Sequence, residues 1–446
     1  MFSNLVFLII TLLLISLVPA GYLAWNMRYF WAFAIGMACY GLLLLTIYFL
    51  NYSMNGFVQR SKSAALVFVN LVLISFICVF QYYFQAYRFT GSNYLLPYSL
   101  LTFGMYLIGL GVFHSTAVAT RRIYHDTEVI SSYHHASMQM RMIIPFALPF
   151  LTITAFFDLL HWIPNEHFQQ WMHEGFTVWY AFGSMLFLAL LTMIFMPAVI
   201  QNIWQCKPFP ESDLKVRLEQ LCQRAHFRHG GMLTWTIMND ALTAAIVGVV
   251  PRYRYVMFTN RLIRSVSANS IEAILAHEIG HSYRRHLWIY PLIIFGMFLT
   301  TALYSHFIGD YISQYFTVQS HLYPSWKWEV FDALTTFASY AVIILLYFRI
   351  VFGYFSRLFE RQADLHVFHL GVNPEWMIEA LDDIAVQSGN IHLLPSWHHY
   401  SIQQRIDIIR KAQANPKIVE EHNRWVRINV RAYAAVAACV LWYLVS

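Results

Sequence analysis

A mainly α-helical fold is predicted for this chain: a polytopic transmembrane helical bundle that carries a cytoplasmic α+β domain built from a small β-sheet and a long helix. Three observations lead there. The 446 residues are 58% hydrophobic and only 12% charged, with a mean hydropathy of +0.49; a soluble domain carries about twice that charged fraction. Apolar runs recur at about 20 residues, the length that crosses a bilayer as a helix. The polar residues collect in two long segments, 201–286 and 355–431.

In chain order, spans are expected at roughly 5–25, 29–50, 64–84, 94–114, 142–163, 178–200, 287–308, 331–352 and 433–445. The first lacks a basic leader, and only Asn26, Met27 and Arg28 separate it from the second, so a retained hairpin is expected and not a cleaved signal. Loops bearing Arg60 with Lys62, and Arg121, Arg122 with Arg141, alternate with a connection that holds Glu166 and Glu174 and no Lys or Arg. All basic loops and both polar segments fall on one side, which the positive-inside rule makes cytoplasmic. The net charge of +6 is thus a matter of orientation and gives no reason to expect nucleic acid as a partner. Cys39, Cys78, Cys206, Cys222 and Cys439 include no CxxC pair and read as small apolar residues. The expected organisation is a membrane region at 1–205, half of the polar domain at 206–286, a membrane hairpin at 287–355, the other half at 356–431, and a closing span at 432–446.

The first polar segment opens with an amphipathic helix. Leu214, Leu218, Leu221, Cys222 and Ala225 share one face, and Gly230-Gly231 is expected to stop it. Three strand-like runs follow, Met232–Met238, Thr243–Val250 and Tyr253–Thr259, with a turn at Pro251-Arg252. An exposed edge of such a sheet can hold an extended peptide by strand addition.

Next comes Asn269–His286, in which Asn269 and Glu272 fit a capping box and Ile271, Leu275 and Ile279 recur at helical spacing. Within it stands His277-Glu278-Ile279-Gly280-His281, an HExxH sequence. On a helix the two histidines lie one turn apart on one face and can reach a single metal ion, with Glu278 beside the metal-bound water. Short as it is, the pattern needs a third ligand. The second polar segment offers Ser356-Arg357-Leu358-Phe359-Glu360-Arg361-Gln362-Ala363-Asp364. Glu360 and Asp364 share a helical face; one carboxylate could complete a His₂Glu zinc site, and the other could accept the spare N–H of a ligating histidine. By itself this helix would read as an ordinary surface ion-pair helix with Arg357 and Arg361.

LAHEIGHSYRRH, two spans, then SRLFERQAD, in that order, resembles the family of membrane gluzincin peptidases that includes the bacterial heat-shock protease HtpX and the type I CAAX prenyl endopeptidases. A third block, His399-Tyr400-Ser401-Ile402-Gln403-Gln404-Arg405-Ile406, is similar to the family's HPxxxxRI, and the likeness covers roughly Asp213 to Ile409. Two departures stand out. Thr243-Ala244-Ala245-Ile246-Val247-Gly248 replaces an Asn-Ala-x-x-x-Gly strand, and Tyr400 replaces a proline.

The expected function is an integral-membrane zinc metalloendopeptidase with one Zn²⁺ per chain, acting on membrane-associated or misfolded polypeptides. His277, His281 and Glu360 would bind the metal, and Glu278 would act as general base and return the proton to the leaving amine. By the resemblance His399, or else Arg405, would donate to the developing oxyanion. Asp364 would orient His277. A CAAX-type prenyl-protein endopeptidase is the alternative, and a non-catalytic metal-binding sensor or transporter is the alternative of a different class; Glu278, idle in a structural site, speaks against the latter. An intramembrane site-2-type protease is disfavoured, because Arg284, Arg285 and His286 abut the HExxH and Asn373-Pro374-Glu375 lacks the aspartate it would need. Asp158 and His161, near a span end, read as an interface pair that anchors the helix. With no retention signal at the C-terminus, a bacterial inner membrane is expected over endoplasmic reticulum.

Overall fold

The computed structural model describes residues 27–53, 62–82, 95–125, 131–168, 170, 178–237, 241–322, 326–394 and 399–445. The first expected span lies outside them, as does Glu174. The chain forms two compact units, Met1–Cys206 and Lys207–Ser446.

The first unit is helical: α1 Met27–Ser53, α2 Lys62–Tyr82, α3 Leu95–His125, α4 Ser132–His161 and α5 Val178–Ile203. Its core gathers Leu73 and Ile77 of α2 with Tyr98, Tyr106 and Leu110 of α3, all nearly inaccessible. Several buried polar groups pair across helices, as an apolar medium favours. Tyr106 donates to Asn70 at 2.5 Å, and Asn51 donates to Phe113 O and Thr116 Oγ1 at 3.1 and 2.7 Å. Asp158 does not pair with His161. Its two oxygens accept from the backbone N–H groups of Leu95 and Leu96 at 2.9 and 2.6 Å, capping α3 from a neighbouring helix. The Nδ1 of His161 turns back to Phe157 O, 2.8 Å away.

In the second unit, β1 Lys207–Pro208 leads to α6 Asp213–Arg224, capped by Ser212, whose side chain accepts from Lys215 N. Leu218, Leu221 and Cys222 are buried as their spacing predicts, but the helix ends at Arg224, well before Gly230-Gly231. The chain reverses instead at His226, in the left-handed region at φ 50°. Strands β2 Gly231–Trp235, β3 Ala244–Val247 and β4 Tyr255–Thr259 follow, with a 3₁₀ turn at Pro251–Tyr253. The sheet order is β1-β2-β4-β3: β2 and β4 are parallel, the two outer pairings antiparallel, and β3 lies at one edge.

After the short α7 Asn260–Ser265 comes α8 Ala268–Tyr283, the helix that carries the HExxH. Its cap is Ser267, which accepts from Ser270 N. Asn269 and Glu272 do not form the expected capping box; Glu272 is buried between Arg217 and Arg224, each 2.8 Å away. The helix is enclosed on nearly all sides, with Ile271, Ala273, Leu275, Ala276 and Ile279 almost fully buried. It ends where Arg285 turns left-handed at φ 61°, and α9 His286–Tyr304 departs.

A π turn at Ser305–Gly309 joins α9 to α10 Asp310–Leu322; α11 Trp326–Tyr347 returns and passes through a second π turn, Phe348–Phe352, into α12 Gly353–Asp364. Then come α13 His366–His369, α14 Pro374–Gln387, α15 Ile402–Ala414 and α16 Lys417–Val445. The last helix fastens the hairpin. Tyr433 fills the notch left by Gly296, where a Cβ would collide with its hydroxyl, and the hydroxyls of Tyr433 and Tyr347 stand 2.6 Å apart beside Ile293 O. Among the described residues five helices are long and apolar enough to cross a membrane: Phe30–Asn51, Leu95–Ala117, Ser132–His161, His286–Gln319 and Ala338–His369. The protein is an integral membrane protein, mostly helical with one small mixed sheet.

Candidate active site

Three helices build the site. On α8, His277 and His281 present their Nε2 atoms 3.2 Å apart. On α12, Glu360 places Oε2 3.7 Å from Nε2 of His277 and Oε1 3.6 Å from Nε2 of His281. Close packing of these two helices depends on Gly280: a Cβ there would stand 2.8 Å from Cβ of His366 and 3.2 Å from Cα of Ala363. Only a residue without a side chain allows that approach.

This donor set fits a metal ion. Donors held about 2.0–2.1 Å from a tetrahedral zinc stand roughly 3.3 Å from one another, close to the three separations seen. The chemistry fits as well. Asp364, fully buried, lies 2.9 Å from His277 Nδ1 and can accept only a hydrogen carried there. In the neutral ring that leaves Nε2 as a lone pair facing the carboxylate of Glu360. Lone pairs and a carboxylate converging in a buried space repel each other unless a cation lies between them. Burial also holds the pKa of His281 down to about 4, which keeps its ring neutral and able to ligate.

Around this set, Glu278 lies next to the metal-ligating face and accepts from Ile246 N of edge strand β3 at 3.3 Å. Burial lifts its pKa to about 7, with Glu360 adding to the rise and His277, the Ile246 amide and Arg405 opposing it. Arg405 of α15 grips Asp364 with two hydrogen bonds, Nε to Oδ2 at 2.9 Å and Nη2 to Oδ1 at 2.6 Å, and stands 3.7 Å from Glu360. The Nδ1 of His399 is 3.3 Å from Glu360 Oε2, and the residue borders the cavity. Arg361, expected as an ion-pair partner in the simplest reading of α12, stacks over the ring of Tyr400 at 4.2 Å. The cavity, about 400 Å³, is walled by Thr243, Ile274, Met377, Leu381, Ile384 and Ile402 beside the charged groups.

Residues 208–418 match the family model described as Peptidase family M48. That stretch is similar to the M48 peptidases. Within the matched stretch lie the HExxH helix, the Glu360 helix and the His399–Arg405 block together. Among curated relatives, "CAAX prenyl protease 1" of Saccharomyces cerevisiae is 25% identical over 242 residues, covering 50% of this chain and 53% of that protein. "CAAX prenyl protease 1 homolog" of Oryza sativa subsp. japonica is 23% identical over 231 residues, covering 50% and 52%. The chain spans about half the length of the curated relatives it matches. The crystal structure of S. mikatae Ste24p is similar with a TM-score of 0.46 and 15% identity, over 87% of this chain and 100% of that one.

Sequence reading alone misses three neighbours of the site: the His286 ring against His281, Gln362 behind it, and the bidentate clasp of Arg405 on Asp364. His286 is visible in the sequence as a histidine one turn beyond the HExxH. Its return toward His281 depends on the left-handed Arg285, which no periodicity reveals.

Proposed function

We propose that this protein is an integral-membrane zinc metalloendopeptidase that cleaves membrane-associated or misfolded polypeptides, its catalytic side cytoplasmic. One observation carries the reading: two imidazoles of α8 and the carboxylate of α12 converge at tetrahedral spacing with a second carboxylate, Glu278, beside them. The M48 match of residues 208–418 and the Lys and Arg carried by both polar segments support it.

His277, His281 and Glu360 would hold the ion. When bound, it supplies a strongly acidified water and a Lewis acid for the scissile carbonyl. The chain's own residues do the rest. Glu278, with a pKa near neutrality, takes the proton of the attacking water and delivers it to the departing amine. The outward edge of β3 receives the substrate as an added strand and sets its carbonyl beside Glu278. His399 donates to the oxygen that gains charge in the transition state. Arg405 serves mainly by holding Asp364, which fixes the ring of His277.

The test is Glu278→Gln in the purified full chain. Zinc should remain at one per chain by elemental analysis while cleavage of an unfolded reporter polypeptide disappears. A Glu278→Gln protein that still cleaves would remove the assignment. The curated relatives support a second reading, a prenylated C-terminal peptide as substrate, for which the apolar cavity wall offers a surface. Matched peptides with and without a farnesyl group decide between the two by their kcat/KM.

A further inference from the structure

Both histidines of the candidate metal set have a partner behind the ring, and the two partners differ. His277 is backed by a carboxylate, Asp364. Behind His281 stands a line of neutral side chains. Its Nδ1 lies 3.0 Å from Nδ1 of His286. The other nitrogen of His286, Nε2, lies 2.9 Å from Oε1 of Gln362, and Nε2 of Gln362 donates to Oδ1 of Asn423 at 2.7 Å. His286 is wholly inaccessible and Gln362 nearly so. The ring of His286 also stacks on Phe359 with centroids 4.3 Å apart.

The positions of the hydrogens follow link by link. The Gln362 carbonyl oxygen can only accept, so His286 carries its hydrogen at Nε2. Its Nδ1 is then a bare lone pair and must receive a hydrogen from His281 Nδ1. That leaves His281 Nε2 bare, facing His277 and Glu360. A metal on His281 Nε2 demands this arrangement. Its reverse would put a hydrogen where the ion must bind.

We propose that His286 is a positioning residue of the metal centre: with Gln362 and Asn423 it holds His281 in the one tautomer and ring orientation that can ligate. The proposal rests on the reading that His277, His281 and Glu360 hold zinc. The left-handed Arg285 is what places His286 there, since a continuous helix would carry it away from His281. The line also ties the metal centre, through Asn423, to α16. A neutral relay here, with a carboxylate on the other ligand, avoids a further negative charge in a buried site that already holds Glu360, Asp364 and Glu278.

The experiment uses the purified full chain in detergent, with zinc affinity measured by competition with a chromophoric chelator and geometry read from the visible spectrum of the cobalt(II)-substituted protein. His286→Leu should weaken zinc roughly 10–100-fold and alter the cobalt bands. His286→Asn keeps an acceptor oxygen where Nδ1 stands and should recover to within a few-fold of the wild type, with its cobalt spectrum. Gln362→Met should weaken zinc less than His286→Leu. Wild-type affinity and spectrum in His286→Leu would overturn the proposal. So would a His286→Asn protein as weak as His286→Leu, which would assign the role to stacking on Phe359. If His286→Leu fails to fold, a folded Gln362→Met protein with unchanged zinc affinity overturns it alone. Failure of the underlying reading looks different: the wild type itself would take up no zinc, or Glu360→Gln would hold it as tightly.

Discussion

Replacing Asp364 by Asn separates two jobs performed by one side chain. The carboxylate is fully buried, accepts two hydrogen bonds from Arg405 and stands 2.9 Å from the Nδ1 of His277. An amide keeps the shape but removes the charge, leaving the guanidinium of Arg405, only 15% exposed, without its closest counter-ion and with Glu360 3.7 Å away. Breaking a buried pair from one side costs about 3–5 kcal/mol, on the order of 10 °C of melting temperature for a unit of this size. Separately, weakening the partner of a ligating histidine costs roughly 10–100-fold in metal affinity. The double variant Asp364→Asn/Arg405→Gln should therefore regain part of the lost stability, since the guanidinium deprived of its closest counter-ion is gone, and none of the zinc affinity. Melting of the metal-free protein and chelator competition measure the two quantities independently. The reasoning fails if Asp364→Asn binds zinc like the wild type, or if the double variant is as unstable as the single one.

Four other outcomes are expected. Glu360→Gln removes the anionic ligand and should lower zinc affinity well beyond the effect of Asp364→Asn; chelator treatment of the wild type should abolish cleavage, and added zinc should restore it, both followed with a fluorogenic peptide. Gly280→Ala forces a methyl group to within 2.8 Å of Cβ of His366, so α8 and α12 must part; a stability loss of about 1–3 kcal/mol and weaker zinc binding should appear together in melts and competition titrations. Asp158→Ala removes the cap from the first amides of α3 and should destabilise the first unit by about 0.5–2 kcal/mol, leaving the zinc affinity of the purified protein unchanged.

What could be read in advance divides along physical lines. His277, Glu278 and His281 are legible because helical spacing alone sets their relation. The amphipathic face of α6 and the three strand runs are legible for the same reason, since local periodicity reports a burial face. Glu360 lies across a membrane hairpin and is legible only through an ordered family pattern. Asn269 and Glu272 fit a local capping rule, yet Arg217 and Arg224 from another helix claim Glu272 and leave the cap of α8 to Ser267. Local spacing groups Asp158 with His161 as an interface pair, whereas the partners of Asp158 are amides of α3. The strand β1, two residues long and ending in proline, and the two π turns have no periodic signature at all.

The second π turn sits directly ahead of the helix that delivers Glu360, while both imidazoles precede the hairpin. A nascent chain emerging from the ribosome thus carries two of the three candidate metal donors before it carries the third. Completion of the donor set waits on synthesis of the whole hairpin between them, the same hairpin whose Gly296 notch Tyr433 fills in the folded unit.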